Sequence, residues 1–187
     1  MPTVLRCKCV IVGDSAVGKS SIAQVFHSDG AHFPKNYTMT QGVEVLVKSV
    51  NIPETQDSVE IYIYDSAGKD IFSDLVKQFW DHPSVVMVVY DCTNEASLSN
   101  SLTWLEKVRA LTPDIHIPGV LLANKTDLDK RRVVTPKVGR ETAQSSKLEY
   151  FECSAKEMRN VDTPFFFLAN EYYKLYQERI ELFSSLS

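Results

Sequence analysis

The stretch that most constrains the fold is Gly13-Asp14-Ser15-Ala16-Val17-Gly18-Lys19-Ser20, which reads G-x-x-x-x-G-K-S. An apolar run, Cys9-Val10-Ile11-Val12, precedes it, and Ser21-Ile22-Ala23-Gln24-Val25-Phe26 follows with helical character. Strand, glycine loop and helix in that order form the setting in which this pattern cradles phosphate. Glycines at 13 and 18 let the backbone close around an anion, with successive N–H groups turned inward. The helix start adds unpaired N–H groups and the positive end of the dipole. Lys19 brings a mobile cation to the terminal phosphates. The Ser20 hydroxyl is placed to ligate Mg²⁺, and Ser21 is grouped with the same loop. The bland alternative is an ordinary glycine turn between strand and helix; it loses ground with each motif below.

The rest of the chain is ordinary globular material. Its 187 residues suit one domain, 1–187, with a full core, and 44% hydrophobic against 24% charged residues places it there too. A net charge of −4 argues against nucleic acid as the main partner and against charge-driven binding to acidic membranes. Cys7, Cys9, Cys92 and Cys153 lie in or at the end of strand-like runs and read as buried free thiols of a reducing compartment. Cys7-x-Cys9 has no matching Cys/His pair to complete a metal site. No signal peptide, membrane-spanning run, myristoylation start or C-terminal prenylation cysteine is visible, so a soluble cytoplasmic protein without a direct lipid anchor is expected.

Along the chain, residues 4–12 read as the first strand and the first helix ends near His27. Residues 28–41 form a long loop, and long ordered loops are often functional. Residues 43–52 and 59–64 read as a hairpin around a turn at 53–57. A loop and a short helix lead to about Trp80, and Val85–Tyr90 is apolar on both faces, as a buried parallel strand must be. A helix follows over 97–111, a strand over 119–123, a helix opened by Thr135-Pro136, and a strand over 148–153. Thr163-Pro164 repeats the cap-plus-proline start for a last helix, about 164–183. Strands alternating with helices after one hairpin predict an α/β fold, mainly parallel, with helices on both faces. Loops leaving the C-terminal strand ends then meet at one edge, where such folds bind ligands.

Further motifs fall on those loops. Asp65 closes Ile61-Tyr62-Ile63-Tyr64 and reads as a holder of Mg²⁺, directly or through water. Gly68, three residues on, lets a backbone N–H approach a γ-phosphate. Thr40 sits in a loop, where its hydroxyl could complete the Mg²⁺ shell and its backbone bond the γ-phosphate; alone it is only an exposed loop threonine. Asn124-Lys125-Thr126-Asp127 follows an apolar strand. The Asp127 carboxylate can accept two N–H bonds from guanine and would meet a lone pair on adenine. Ser154-Ala155-Lys156 offers backbone N–H groups to the guanine oxygen, and Lys125 and Lys156 have stems long enough to lie on base and ribose.

Taken together these motifs, in this order, resemble the Ras superfamily of small GTPases in its Rab-like branch, over residues 4–183. The resemblance implies a single G domain with sheet order 2-3-1-4-5-6 and strand 2 antiparallel. It implies GTP/GDP and Mg²⁺ as ligands, with Phe33 stacked on guanine. Two departures stand out. Where the family has a glutamine to orient the attacking water, this chain has Lys69, so of the catalytic positions Thr40, Gly68 and Lys69 only the last is altered. Lysine has no acceptor for that water's proton, which predicts very slow intrinsic hydrolysis. The prenylated tail of Rab proteins is also missing. With Phe33-Pro34-Lys35-Asn36-Tyr37, Trp104-Leu105-Glu106-Lys107-Val108-Arg109 and Lys156-Glu157-Met158, the chain resembles the Rab-like GTPases of the intraflagellar transport B complex. That implies a role at the cilium and its base, and a heterodimer with a small β-sandwich transport subunit.

The last helix reads independently. Phe165, Leu168, Ala169, Tyr172, Tyr176, Ile180 and Phe183 make one apolar face, and Phe166, Phe167, Tyr173, Leu175 and Leu182 widen it. One stripe covers the sheet; the surplus, including an exposed Tyr173 and Phe183, predicts a protein interface. Three functions fit: a nucleotide-switched assembly subunit, a turnover GTPase of vesicle traffic, and a structural subunit with nucleotide as fixed cofactor. The missing lipid site disfavours the second and Thr40 favours the first. A P-loop kinase would leave Asn124-Lys125-x-Asp127 unexplained.

Overall fold

The computed structural model describes residues 2–34, 36, 38–69, 73–113 and 115–186. Lys35, Tyr37 and Asp70, which belong to quoted motifs or their flanks, lie outside them. Six strands form one sheet: β1 (Val4–Val12), β2 (Val43–Asn51), β3 (Ser58–Ser66), β4 (Val85–Asp91), β5 (Gly119–Asn124) and β6 (Glu149–Glu152). Their order is β2-β3-β1-β4-β5-β6, with β2 antiparallel to β3 and every other neighbouring pair parallel. This is the expected order.

The helices are α1 (Lys19–His27), α2 (Ser73–Lys77), α3 (Glu95–Arg109), α4 (Pro136–Ser145) and α5 (Asp162–Leu186), with a 3₁₀ segment over Thr126–Arg131. β4 is buried at every residue because helices cover both faces of the central sheet. On one face α1 and α5 meet through Phe26 and Phe165, stacked with ring centroids 3.9 Å apart. On the other, Trp80, Trp104 and Val108 pack on Val86, Val88 and Tyr90. No described helix is long and apolar enough to cross a membrane.

Several boundaries shift, each for a local reason. β3 continues through Ser66, so Asp65 lies inside the strand, paired with Ile11 and Glu44, rather than closing it. α3 starts at Glu95 because the Asn94 side chain caps it, accepting from Ser97 N–H, and it ends at Arg109 rather than 111. Thr135 caps α4 as expected, accepting from Val138 N–H ahead of Pro136. α5 begins earlier, at Asp162, which places Thr163 and Pro164 inside its first turn, where proline loses no helical bond, and removes the capping role given to Thr163. In β2 the covered side carries Leu46, Lys48 and Val50, whereas Val45 and Val47 face outward, 46% and 42% exposed. All four cysteines are free and buried, and burial pushes the Cys9 thiol up to about 12.

Candidate functional site

The C-terminal ends of β1, β3, β5 and β6 lead into one cavity of about 420 Å³, a size suited to a small ligand. Its lining includes Ser15, Ala16, Gly18, Lys19, Ser20 and Ser21 from the first loop and helix, Phe33 and Thr40 from the 28–42 loop, and Gly68. Asn124, Lys125, Asp127, Ala155 and Lys156 complete the opposite side. Residues separated by more than a hundred positions are thus brought to one edge of the sheet by parallel strand order.

The phosphate-loop end is built around Lys19. It starts α1, is buried, and donates from Nζ to the carbonyls of Gly13 and Asp14 at 2.8 Å each. Burial draws its ammonium down to about 8, against the opposing pull of Asp65 and Asp14. Nearby, Ser20 Oγ donates to Asp65 Oδ2 at 2.5 Å and lies 2.9 Å from Thr40 Oγ1. Two hydroxyls and a carboxylate in contact form a hard-oxygen donor set of the type Mg²⁺ takes. Asp65 Oδ1 is buried without a hydrogen-bond partner among the described residues, and burial raises its carboxyl in spite of Ser20 and Lys19. A buried carboxylate with an unmet oxygen beside two hydroxyls fits a divalent cation. Gly68 closes the cradle: a Cβ there would stand 2.4 Å from Asp14 C and 2.5 Å from both Ser15 N and Lys19 Nζ, so no side chain fits.

At the other end, Asp127 Oδ1 accepts from Ser154 Oγ at 2.6 Å, which fixes the carboxylate at the cavity wall. Lys125 adopts a left-handed backbone, φ 67°, and its ammonium reaches Asp91 Oδ2 at 2.6 Å, leaving the stem along the cavity. Burial would raise the Asp91 carboxyl, but Lys125 and Thr93 hold it below its usual range.

Several side chains of these motifs are held by the protein itself. Asp14 faces away: its carboxylate accepts from Asn100 Nδ2 and Trp104 Nε1, at 2.8 Å each. Val17 sits in the core, 2% exposed. Asn124 spends its amide on the protein, donating to Val17 O at 2.8 Å and accepting from Ala155 N–H at 3.1 Å. Ser154 N–H donates to Arg159 O. Lys69 is exposed beside Gly68 and is not among the side chains lining the cavity. Asp91, Asn100 and Trp104 are the positioning residues that sequence reading passed over. Asp91 carried a signal, since it closes an apolar strand next to the Asn124–Asp127 motif. Trp104 carried none, being 90 residues from Asp14.

A sequence model of the Ras family matches residues 8–174. The Homo sapiens protein named intraflagellar transport protein 27 homolog is 50% identical over 183 residues, covering 98% of each chain. Intraflagellar transport protein 27 of Chlamydomonas reinhardtii is 36% identical, covering 96% of this chain and 90% of its own. The Ras-related protein RabC of Dictyostelium discoideum is 34% identical over 164 residues, covering 88% of this chain and 82% of its own. The chain belongs to the Ras family of small GTPases, and it shares up to half its residues with members of that family named intraflagellar transport protein 27.

Proposed function

We propose that the chain is one G domain that binds GTP and GDP with Mg²⁺ and serves as a nucleotide-dependent subunit of the intraflagellar transport B complex. The observation that carries the binding reading is the single cavity where the Lys19 loop, the Ser20–Thr40–Asp65 oxygens, Gly68 and Asp127 converge. Lys19 and the loop N–H groups hold the phosphates. Ser20, Thr40 and Asp65 hold Mg²⁺, which screens phosphate charge when bound. Asp127 selects guanine by accepting its N–H groups, and the Phe33 ring and the Lys125 and Lys156 stems cover the base. Thr40 and Gly68 respond to the third phosphate, which makes the chain a switch rather than a scaffold with a fixed cofactor.

The transport reading is supported by the relatives' names and extends to place: the cytoplasm, the cilium and the ciliary base. Within the complex we assign a small β-sandwich subunit as direct partner, docked on the outer face of α5. Hydrolysis without help is slow, because Lys69 offers the attacking water no acceptor.

Equilibrium binding of a fluorescent GDP with Mg²⁺ tests the site. Lys19→Ala is expected to weaken it by about 100-fold, the worth of a buried charge-assisted contact. Asp127→Asn is expected to abolish guanine binding by several orders of magnitude. Unchanged affinity in either variant overturns the assignment.

A further inference from the structure

Behind the phosphate end of the cavity lie two indoles that the proposed nucleotide contacts do not use. The chain has two tryptophans, Trp80 and Trp104, and both are here. Trp80 is fully buried after α2 and Trp104 is buried on α3. Their rings meet edge to face, with centroids 6.3 Å apart and planes at 74°. Each points its N–H in a different direction. Trp80 Nε1 donates to Ser66 Oγ at 2.8 Å, and Trp104 Nε1 donates to Asp14 Oδ1 at 2.8 Å. Ser66 is the last residue of β3, and the turn that follows it, through Gly68, is the one assigned to the third phosphate. Asp14 is the second residue of the phosphate loop. These are the two backbone segments whose atoms already abut at Gly68, where not even a methyl group fits between them.

We infer that the Trp80–Trp104 pair sets the spacing between the Asp65–Gly68 turn and the phosphate loop, and thereby the preference of the chain for a nucleoside triphosphate over a diphosphate. The inference rests on the nucleotide reading above and goes beyond it. An edge-to-face aromatic pair has a defined separation, and each indole N–H adds a directional bond to a buried acceptor. The turn and the loop are therefore held from behind by one rigid unit. Their roles differ toward a nucleotide. The phosphate loop meets phosphates common to both ligands, whereas the turn meets the third phosphate only. A group that positions the turn changes the difference between two affinities, and a group that positions the loop changes both together. Asp14 keeps a second donor, Asn100, so its loop is held twice. The described contacts of Ser66 Oγ are the indole and the Tyr64 carbonyl of its own strand, so Trp80 is the tie of this side chain to a second element, beside the backbone pairing of Ser66 with Val43.

The test is the affinity of the full chain, with Mg²⁺, for GDP and for a non-hydrolysable GTP analogue. Trp80→Phe keeps an aromatic ring and removes the N–H. It is expected to lower the triphosphate-to-diphosphate affinity ratio about five-fold, the worth of one buried neutral hydrogen bond. Trp104→Phe is expected to weaken both ligands by similar factors and leave the ratio within two-fold. Ser66→Ala removes the acceptor while sparing the indole packing, and is expected to reproduce the Trp80→Phe ratio even if that variant folds poorly. Wild-type tryptophan emission is expected to change when GDP is replaced by the analogue, since both emitters sit at the turn and loop. A structural role alone would lower the melting temperature and leave the ratio untouched; that result in both Trp80→Phe and Ser66→Ala overturns the inference. Wild type that binds neither nucleotide overturns the nucleotide reading and this inference together.

Discussion

Lys19 and Lys69 show how one residue type is put to two uses by position. Lys69 is exposed just after Gly68, at the position proposed above to limit hydrolysis. An ammonium can steady a phosphate oxygen but cannot take a proton from water. Single-turnover hydrolysis is expected to be nearly undetectable in wild type and about ten-fold or more faster in Lys69→Gln. Equal rates would mean that another group limits the step. Lys19 is buried, and its depressed pKa of about 8 has a consequence for pH. A lysine whose folded pKa lies below its unfolded value near 10.4 penalises the ligand-free fold fully below pH 8, and the penalty is relieved as pH rises from about 8 towards 10.4. A bound phosphate reverses this, because it favours the charged form. Nucleotide binding is therefore expected to take up a proton above pH 8, with log affinity falling towards one unit per pH unit. Titration calorimetry at pH 7 to 9.5, in buffers of different ionisation enthalpy, checks it; a flat profile would mean that Lys19 stays charged in the free protein.

At the scale of elements, what was legible in the sequence is what local chemistry marks. Pro136 behind Thr135, the all-apolar β4 and the glycines of the phosphate loop each announce their element without help from elsewhere. The sidedness of α5 was harder, because only the partners of a helix decide which face is covered. Tyr173, expected at the surface, is half-buried, and its hydroxyl donates to Asp57 Oδ2 at 2.6 Å, tying α5 to the β2–β3 turn 116 residues away. The same Asp57 accepts from Thr3 N–H at 2.6 Å. The surplus face thus contracts to the distal end of the helix, where Ile180, Leu182 and Phe183 are 41%, 60% and 73% exposed. Phe183→Asp is expected to weaken the proposed heterodimer with a β-sandwich subunit by at least ten-fold, as loss of a buried aromatic anchor does, with an unchanged melting temperature. Tyr173→Phe, which removes the tie to Asp57, is expected to lower the melting temperature slightly and spare the complex. Co-purification and thermal unfolding of both variants separate the two faces; an intact complex in Phe183→Asp removes the distal end from the interface.

At the scale of the whole molecule, the site is an assembly of loops from both halves of the sheet, and something must hold them in register before a ligand arrives. Sequence motifs name the loops but not their ties, since a motif is local and a tie is not. Asn124 is the clearest case. Its amide joins Val17 of the phosphate loop to Ala155 of the loop after β6, spanning 107 residues on one side and 31 on the other. Gly18 belongs to the same contact: its φ is 103°, and a Cβ there would stand 2.2 Å from Asn124 Nδ2. Asn124→Ala would leave a buried carbonyl and a buried N–H without these partners, at a cost of about 2–4 kcal/mol. For a chain of this length that lowers the melting temperature by roughly 5–15 °C. Asn124→Asp would keep the acceptor for Ala155 but set an oxygen against the Val17 carbonyl, and is expected to be no milder. Asp127→Asn, which retains an oxygen for Ser154 Oγ, is expected to stay within about 2 °C of wild type while losing guanine. Thermal unfolding after removal of nucleotide and Mg²⁺ decides between them. If Asn124→Ala melts with wild type, the loops are held by the strands without this tie.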